Sequence, residues 1–284
     1  MDIKIGFIGQ GWIGKNYADN FEDRKYTVIR YSLEEKYINN GTEIKNCDIV
    51  FIAVPTPTSP KGFDDSILRE AIKKIGKGKI AVIKSTTIPG TVEKLQKENP
   101  NIYILNSPEF LTTQTARYDA DNPARNIIGL PIINEDYKEK AKVVMNILPK
   151  APFELICSAR EAELIKYGGN CLSYVKIIFI NLLYDLVEKY NCNWEIIKEA
   201  MMADPRIGNE HLNPVHKGGR GAGGYCFIKD FAALTEIYKK MVGDELGFEV
   251  LSSIKNKNID LLVNSNKDLD LLSGVYGKDV VEGE

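Results

Sequence analysis

Short apolar runs alternate with helical patterns over the first 157 residues, and no other feature of the chain constrains its fold as much. Ile3–Ile8 and Asp48–Val54 are compact apolar runs that predict buried strands. Residues 11–22 and 64–75 suit amphipathic helices. Further strands are predicted at residues 26–31, 80–83, 102–105 and 153–157, further helices at 91–98 and 135–148, and a loop between 106 and 134. This alternation predicts a doubly wound, mostly parallel α/β sheet.

The pattern changes near residue 158. Residues 159–190 are predicted to form one long helix whose apolar surface extends round its sides, so we expect burial on more than one face. Asn193 should cap a further helix, a glycine-rich loop covers residues 217–226, and helices follow from about 229 to 264. The remainder, Asn264–Glu284, is predicted to be a polar, glycine-containing tail with one weakly helical segment, LDLLS at residues 269–273. The chain therefore divides into an α/β domain at residues 1–158 and an all-helical domain at residues 159–284.

Composition excludes several classes of protein. Lys and Arg number 37 against 39 Asp and Glu, a balance that argues against a nucleic-acid-binding protein. The five cysteines form no CxxC pair and the two histidines have no metal-ligand spacing, so we expect neither disulfides nor a metal site. The N-terminus lacks the features of a signal peptide, and the most apolar helical stretch, Leu172–Leu183, is interrupted by polar residues. We expect a cytoplasmic protein that does not enter a membrane.

A glycine-rich turn directly follows the first predicted strand and opens the first helix. Its form is GxGxxG, in which the glycines permit a tight turn, a close approach to a pyrophosphate and the packing of helix on strand. The N-terminus of the helix would hold the phosphates. An ordinary strand–turn–helix is the alternative, but the context predicts a Rossmann-type dinucleotide-binding domain. The expected cofactor contacts are Gly9, Gln10, Gly11, Trp12, Ile13 and Gly14.

The second predicted strand lacks the acidic residue that usually binds the adenosine ribose. Ser32 stands at about that place, with Arg30 nearby and Glu34 just beyond. A serine beside an arginine would suit a ribose 2′-phosphate, whereas Glu34 would suit ribose hydroxyls. NAD and NADP both stay open on these residues, and we favour NAD.

Two more loops follow predicted strands, at the sheet edge where a doubly wound fold has its ligand crevice. The first is either a rigid turn or a wall of the crevice, and consists of Val54, Pro55, Thr56, Pro57 and Thr58. The second contains Ser85 and Thr86, whose hydroxyls either cap the next helix or face the crevice.

Two positions in the helical half suggest chemistry. Lys166 and Asn170 are four residues apart on the long helix and therefore share a face, although a solvated lysine is the common case. Cys226 follows the glycine-rich loop and precedes a helix, where a thiol is acidified by the helix N-terminus and by cations such as Lys166 or Lys229. The other cysteines are predicted to be small buried or half-buried residues: Cys47, Cys157, Cys171 and Cys192.

Eight ordered segments between residues 3 and 236 resemble the UDP-glucose/GDP-mannose 6-dehydrogenase family of nucleotide-sugar dehydrogenases. They are GQGWIG, FIAVPTPT, KSTTIPGT, SPEFL, PARNIIG, EAELIKYGGN, DPRIG and GGYCFIKD, of which EAELIKYGGN and GGYCFIKD are the most specific. The resemblance implies NAD-dependent oxidation of the C6 alcohol of a nucleotide sugar to the acid, within polysaccharide biosynthesis. It also implies a homodimer joined through the long helix.

By match to the family, Cys226 would form a thiohemiacetal and then a thioester. Lys166 would stabilise the oxyanion, Asn170 and Asp230 would position a water and relay protons, and Glu109 and Thr86 would serve thioester hydrolysis. The implied substrate contacts are Glu109, Lys166, Asn170, Arg206, Gly223 and Gly224. Ser85 and residues 54–58 would line the nicotinamide ribose.

The chain also departs from the family pattern. Ile228 replaces a proline, Thr113 stands where a second glutamate is common, and a few extra residues precede the cysteine motif. The residues after Asp230 are too few for the α/β domain that grips the nucleotide in the family, so we expect that domain to be lacking. Two other functions therefore stay open. One is a β-hydroxyacid-type dehydrogenase, which needs no cysteine, and the other is a non-catalytic cofactor-binding relative.

Overall fold

The computed structural model describes residues 3–282 and divides them into two compact units. The first unit contains residues 3–57 and 64–166, and the second contains 58–63 and 167–282. The boundary predicted at residue 158 is the end of the last strand of the sheet, whereas the division between the units falls inside the long helix that follows. A short segment of the N-terminal half, residues 58–63, also belongs to the second unit.

The strands agree closely with the apolar runs of the sequence. They are β1 Lys4–Ile8, β2 Thr27–Tyr31, β3 Ile49–Ile52, β4 Thr58–Ser59, β5 Gly62–Phe63, β6 Ile80–Ile83, β7 Tyr103–Asn106, β8 Arg125–Leu130, β9 Phe153–Ser158, β10 Val215–His216 and β11 Gly219–Arg220.

The helices follow the predicted periodicity, with some additions. They are α1 Trp12–Asp23, α2 Glu35–Ile38, α3 Ser66–Ile72, α4 Thr91–Glu98, α5 Ala116–Asp121, α6 Glu135–Ile147, α7 Ala159–Lys189, α8 Trp194–Met202, α9 Tyr225–Met241, α10 Glu245–Asn264, α11 Leu269–Tyr276 and α12 Asp279–Glu282. Two 3₁₀ turns, Asn39–Thr42 and Ile44–Asn46, lie between α2 and β3.

The first unit is built on a seven-stranded sheet in the order β2-β1-β3-β6-β7-β8-β9. All neighbouring strands are parallel except β7 and β8, which are antiparallel. The prediction of a mostly parallel, doubly wound sheet is therefore confirmed. Strand order reverses between β1 and β3, and in folds of this kind the ligand crevice opens at that reversal, beyond the carboxyl ends of the strands.

The central strands are buried on both faces of the sheet, since β3 and β6 are apolar and buried at every position. Phe7 and Phe51 point to one face and stack with ring centroids 5.1 Å apart, and Phe21 of α1 packs against both. Ile8 and Val50 point to the opposite face, as the two-residue period of a strand requires. The two layers of apolar contact fix the register of β1 against β3.

The predicted loop between residues 106 and 134 contains two regular elements. Strand β8 begins with Arg125 and Asn126, so its sequence lacks the uniform apolar character of β3; buried Asn126 donates to the carbonyl oxygen of Pro149 at 2.7 Å. Helix α5 is short and is held on α1 by Arg117, which binds the carboxylates of Asp23 and Asp121 at 2.6 and 2.9 Å. The loop prediction was wrong here because tertiary contacts, not local periodicity, stabilise both elements.

The second unit is mainly helical. Asn193 caps α8 as predicted, its side chain accepting a hydrogen bond from the backbone N–H of Glu195 at 2.9 Å. The weakly helical segment of the predicted tail is confirmed as helix α11, but the tail is not polar throughout, because Leu272 and Val275 of α11 are buried against Ile228 of α9. The sequence of α11 is apolar enough to pack, but its short length and Gly274 weaken the helical signal.

Helix α7 is 31 residues long, and its most apolar window has a mean hydropathy of 1.4. By length and composition alone this helix could cross a membrane, because the stretch Leu172–Leu183 is only part of a longer apolar helix. The same test is passed by core helices of soluble proteins, and about a third of the window is buried within the described chain.

Candidate active site

The turn between β1 and α1 has the geometry that a dinucleotide fingerprint needs. Gly9 has a φ of 92°, and a Cβ there would lie 2.2 Å from the carbonyl oxygen of Ala53. A Cβ on Gly14 would lie 2.0 Å from the carbonyl oxygen of Gly9, so only glycine allows α1 to pack this closely. By contrast, within residues 3–282 no heavy atom lies within 4 Å of a Cβ built on Gly11. This open space adjoins the first N–H groups of α1, so the turn fits a pyrophosphate.

Of the other residues of the turn, Gln10 and Ile13 pack against the protein interior, and Trp12 lies at the surface. Gln10 is almost fully buried, donates to the carbonyl oxygen of Gly9 at 3.0 Å and accepts from Arg30 at 3.3 Å. Ile13 packs against the core of the first unit, whereas Trp12 is exposed. Of the predicted cofactor residues in this turn, Gln10 and Ile13 are therefore placed to hold its shape.

Arg30 is bound to carboxylates of α1. Its guanidinium is only 8% exposed and binds the carboxylate of Asp19 at 2.7 Å and that of Glu22 at 2.7 and 2.8 Å. Ser32, just beyond the end of β2, accepts a hydrogen bond from the backbone N–H of Glu34 at 3.3 Å. The pairing of Ser32 with Arg30 that would suit a ribose 2′-phosphate is therefore absent in the described structure.

The loops after β3 and β6 are tied to each other. The hydroxyl of Ser85 donates to the carbonyl oxygen of Val54 at 2.7 Å and accepts from the Val54 N–H at 3.0 Å. The hydroxyl of Thr56 donates to the carbonyl oxygen of Thr86 at 2.7 Å. Pro55 is exposed and Pro57 is half-buried. The hydroxyls of Ser85 and Thr56 thus hold the two loops together, and Thr58 belongs to β4 of the second unit.

The hydroxyls of KSTTIPGT do not cap α4; a glutamate from α7 does. Glu163 is 1% exposed and accepts from the backbone N–H groups of Gly90 at 2.6 Å and Val92 at 3.1 Å, and from the hydroxyl of Thr87 at 3.0 Å. A carboxylate at a helix N-terminus is stabilised by the unpaired N–H groups there. Burial nevertheless raises the pKa of Glu163 to about 7. Sequence reasoning missed this residue, which fixes the loop that carries Thr86.

A buried ion pair lies at the carboxyl end of β6. The Nζ of Lys84 is 3.6 Å from Oε2 of Glu109, and both side chains are about 95% buried. Lys84 also lies over the ring of Tyr17, 4.1 Å from its centroid. Burial lowers the pKa of Lys84, while burial and the neighbouring carboxylate raise that of Tyr17. Lys84 and Tyr17 were not predicted, yet a lysine directly after four buried strand residues is a signal that could have been followed.

Lys166 and Glu109, both predicted from the family resemblance, are brought together. The ammonium group of Lys166 donates to the backbone carbonyl oxygen of Glu109 and lies 5.5 Å from the ring centroid of Phe110. The Glu109 carboxylate is oriented by the N–H groups of Phe110 and Leu111, which donate to Oε1 at 2.6 and 2.8 Å. The first unit therefore contains a lysine and a carboxylate in fixed positions, on segments that follow different strands.

The second unit holds the remaining predicted catalytic residues. Helix α9 begins at Tyr225, so Cys226 lies in its first turn instead of in the preceding loop. Asp230 lies one turn later, is fully buried, and accepts a hydrogen bond from Asn170 of α7 at 2.6 Å. Lys229 donates to the other oxygen of Asp230 at 2.5 Å. The predicted trio of Cys226, Asn170 and Asp230 is thus grouped on two adjacent helices.

The predicted substrate contacts in the second unit differ in their surroundings. Gly224 has a φ of 82° and open space around its Cβ position within the described residues. Gly223 has none, because a Cβ there would lie 2.1 Å from Oδ2 of Asp268. Arg206 is highly exposed and its guanidinium binds both carboxylate oxygens of Asp204.

The five cysteines are all free thiols. Burial raises the pKa of Cys47 and of Cys157 to about 11, and that of Cys171 to about 12, which makes these thiols poor nucleophiles near neutral pH. Cys192 and Cys226 are both exposed. The exposure of Cys192 is contrary to prediction, and Cys226 differs from it in lying at a helix N-terminus. In the part of the chain that the structure describes, no three His, Cys, Asp or Glu side chains are grouped as a metal site would need.

Comparison with known proteins agrees with this arrangement. Residues 32–147 match the NAD binding domain of the UDP-glucose/GDP-mannose dehydrogenase family, and residues 160–259 match the central domain of the same family. UDP-glucose 6-dehydrogenase YwqF of Bacillus subtilis is 33% identical over an alignment that covers 94% of this chain and 62% of YwqF. The chain spans between 30% and 62% of the length of the curated relatives it matches.

Two solved structures share the fold. A UDP-glucose dehydrogenase from Pyrobaculum islandicum has a TM-score of 0.77 at 23% identity, over 93% of this chain and 70% of that one. The 3-hydroxyisobutyrate dehydrogenase of Mycobacterium tuberculosis has a TM-score of 0.72 at 14% identity, over 99% of both chains. At such identities the likeness concerns the fold alone. With both family domains matched in order along its sequence, this chain belongs to the UDP-glucose/GDP-mannose dehydrogenase family.

Proposed function

We propose that this chain oxidises the C6 alcohol of a nucleotide sugar of the UDP-glucose class to the carboxylate, with two NAD reduced for each sugar. The observation that carries the proposal is the group formed by Cys226, Asp230 and Asn170. A thiol in the first turn of a helix is followed one turn later by a buried carboxylate that a second helix fixes by a hydrogen bond. Such a group suits covalent chemistry at a carbonyl carbon.

NAD, bound at the glycine turn, would accept a hydride in each of the two oxidations. After the first oxidation has formed the C6 aldehyde, the Cys226 thiolate adds to the aldehyde carbon and gives a thiohemiacetal. Loss of hydride and of the hydroxyl proton then leaves a thioester. Water adds to the thioester carbon, the acid leaves and the thiol is restored.

We assign the proton transfers to named groups. Asp230, held by Asn170 and Lys229, takes up and returns a proton, and the Asn170 amide orients a water. Lys166 stabilises the oxyanion through its fixed charge. Glu109 and Thr86 serve hydrolysis of the thioester. The rigid hydrogen bonds of Glu109 to Phe110 and Leu111 support this assignment, because a general base must be oriented before it can act.

The cofactor is proposed to be NAD instead of NADP. Arg30, the cation that would meet a 2′-phosphate, is buried and bound to both Asp19 and Glu22. A phosphate would have to displace these two carboxylates or lie beside them, which like charge opposes. We expect the KM for NADP to exceed that for NAD at least about tenfold, a difference of about 1.4 kcal/mol. Equal KM values would overturn this part.

A homodimer through α7 is proposed as well. Leu172, Phe179 and Leu186 repeat every seven residues on one face of this helix and are 71, 58 and 57% exposed. A repeat of this kind is typical of helix pairing. Light scattering should give twice the chain mass, and Phe179→Glu should give the monomer. The free thiols support a reducing, cytoplasmic location, which fractionation of the source cells would test.

The deciding experiment is cofactor reduction with a panel of UDP- and GDP-sugars. The wild type should form two NADH for each sugar acid, and Cys226→Ser should form no acid. Cys192→Ser is the matched control, since Cys192 is the other exposed cysteine of the described chain and has no assigned role. If the wild type reduces no cofactor with any nucleotide sugar, the proposal fails. Activity on small hydroxy acids that survives Cys226→Ala would instead favour a β-hydroxyacid-type dehydrogenase.

A further inference from the structure

The glycine-rich segment before Cys226 is packed on its own chain. Three of its glycines, Gly219, Gly221 and Gly223, have no room for a side chain, and Gly223 is one of the two predicted to contact the substrate. A Cβ on Gly219 would lie 2.9 Å from the Cβ atoms of both Ser265 and Lys267. On Gly221 it would lie 2.9 Å from Oδ1 of Asn258. These glycines are therefore required by the close approach of α10 and of the corner that follows it, residues 265–268 between α10 and α11.

Asn258 of α10 binds the middle of the segment as a neighbouring peptide would. Its Oδ1 accepts from the Ala222 N–H at 2.6 Å and its Nδ2 donates to the Ala222 carbonyl oxygen at 3.1 Å. Both Asn258 and Ala222 are fully buried. A buried residue whose backbone N–H and C=O are both satisfied by one side chain has little freedom to move.

The corner between α10 and α11 binds both ends of the segment. The ammonium group of Lys267 is buried and donates to the carbonyl oxygens of Gly221 at 2.9 Å and Gly219 at 3.4 Å. The Oδ2 of Asp268 accepts from the N–H of Gly224 at 2.8 Å. Gly224 is the last residue before α9, so this bond holds the peptide from which the helix starts.

The backbone of this corner is itself strained. Asn266 and Asp268 both have a φ of 53°, in the left-handed region that side chains other than glycine rarely adopt. Such conformations persist where surrounding contacts determine them. Here the contacts are the hydrogen bonds to the glycine-rich segment and the packing of Leu272 against Ile228 of α9.

We propose that Asn258, Lys267 and Asp268 are positioning residues for Cys226. They hold the peptides of Gly219–Gly224 and thereby fix where the first turn of α9, with its thiol, begins. The nucleophilic role of Cys226 rests on the proposed function, but the effect of the corner on the thiol does not depend on sugar oxidation. Asn258, Lys267 and Asp268 thus act on the reaction through the loop.

The test measures the alkylation of Cys226 by iodoacetamide as a function of pH, followed by peptide mass spectrometry. Asp268→Ala removes the acceptor of the Gly224 N–H, whereas Asp268→Asn keeps an acceptor oxygen. Asp270→Ala is the matched control, because Asp270 is exposed two residues further along. We expect Asp268→Ala to change the rate constant at pH 7 about fivefold, the factor that one lost hydrogen bond corresponds to, and to move the midpoint of the pH profile. Asp268→Asn should largely restore both.

The same variants separate this inference from the proposed function. In turnover, Asp268→Ala should lower kcat while the KM for NAD stays unchanged, since the glycine turn that binds the cofactor is elsewhere in the chain. A shifted alkylation profile in a protein that oxidises no sugar would support the positioning role and contradict the proposed activity. An alkylation profile of Asp268→Ala that equals that of Asp270→Ala would overturn the positioning role, whether or not sugar is oxidised. If Asp268→Ala does not fold, Lys267→Met is measured against the same control, with the same two outcomes.

Discussion

Replacing Lys84 by methionine would leave the Glu109 carboxylate buried without its counter-charge. The two side chains are 3 and 5% exposed, and their charged atoms are 3.6 Å apart. At an effective dielectric constant of about 20, a charge pair at this distance is worth about 4–5 kcal/mol. Removal of one partner from a buried pair typically costs about 3–5 kcal/mol, because the other ion cannot be hydrated. We therefore expect the free energy of unfolding of Lys84→Met to fall by about 3–5 kcal/mol at pH 7.

A second substitution, Glu109→Gln, should restore much of the stability lost in Lys84→Met, and the hydrogen bonds of Glu109 determine how much. Its Oε1 accepts from the N–H groups of Phe110 and Leu111, and an amide oxygen can accept both. In Lys84→Met/Glu109→Gln, neither charge is left and the backbone donors stay satisfied. Replacement of a whole buried pair by neutral groups is often neutral. The double variant should thus be at least about 2 kcal/mol more stable than Lys84→Met, a large non-additivity for a contacting pair.

The assay is urea unfolding of four proteins, which together form a double-mutant cycle: the wild type, Lys84→Met, Glu109→Gln and the double variant. Lys79→Met is the control, since Lys79 is 2.8 Å from Asp48 but both side chains are at least 30% exposed. Despite its shorter distance, this surface pair should contribute less than about 1 kcal/mol. Equal losses in Lys84→Met and Lys79→Met, or additive losses in the cycle, would refute the reasoning.

Three more predictions concern the turn, the α4 cap and the C-terminal packing. Gly11→Ala should keep the wild-type midpoint in urea but weaken NAD binding measured by calorimetry. Gly9→Ala should lower the urea midpoint, because its Cβ meets a carbonyl oxygen. Equal urea midpoints of the two variants would contradict this. Between pH 4.5 and 7 folded Glu163 retains a proton that the unfolded chain loses, so the stability of the wild type should decrease across this window, and Glu163→Gln should remove that slope. Leu272→Ala should destabilise the second unit by about 2–5 kcal/mol in urea, and a loss below about 0.5 kcal/mol would mean that α11 does not pack as described.

The sheet was predictable because its apolar runs carry their own signal. Strands β1, β3 and β6 are buried at nearly every position, so four or five consecutive apolar residues were enough. Strand β8 was missed because Arg125 and Asn126 open it, and their place in the sheet depends on partners more than twenty residues away in sequence. The burial of helix α11 was missed for the same kind of reason. Its apolar side chains matter only once α9 lies against them.

The site shows the same division. Motif resemblance predicted Glu109, Lys166, Asn170 and Asp230, and the structure pairs Glu109 with Lys166 and Asn170 with Asp230. It did not predict the residues that hold these groups in place, such as Glu163 and Lys84. Their partners lie between 25 and 76 residues away, and no local period marks them. A lysine after a buried strand was the one local signal, and it has a structural explanation as often as a catalytic one.

Glycine shows why a motif alone does not locate a ligand. In the first loop, Gly9 and Gly14 are closed in by their own backbone, and only Gly11 leaves space that a phosphate could enter. In the loop before Cys226, Gly223 is closed in by Asp268, and Gly224 is open. Both loops have the same appearance in sequence, because packing and ligand approach each demand the absence of a Cβ. The open position in each loop lies directly before a helix, beside unpaired N–H groups, and surroundings of this kind favour anions in proteins generally.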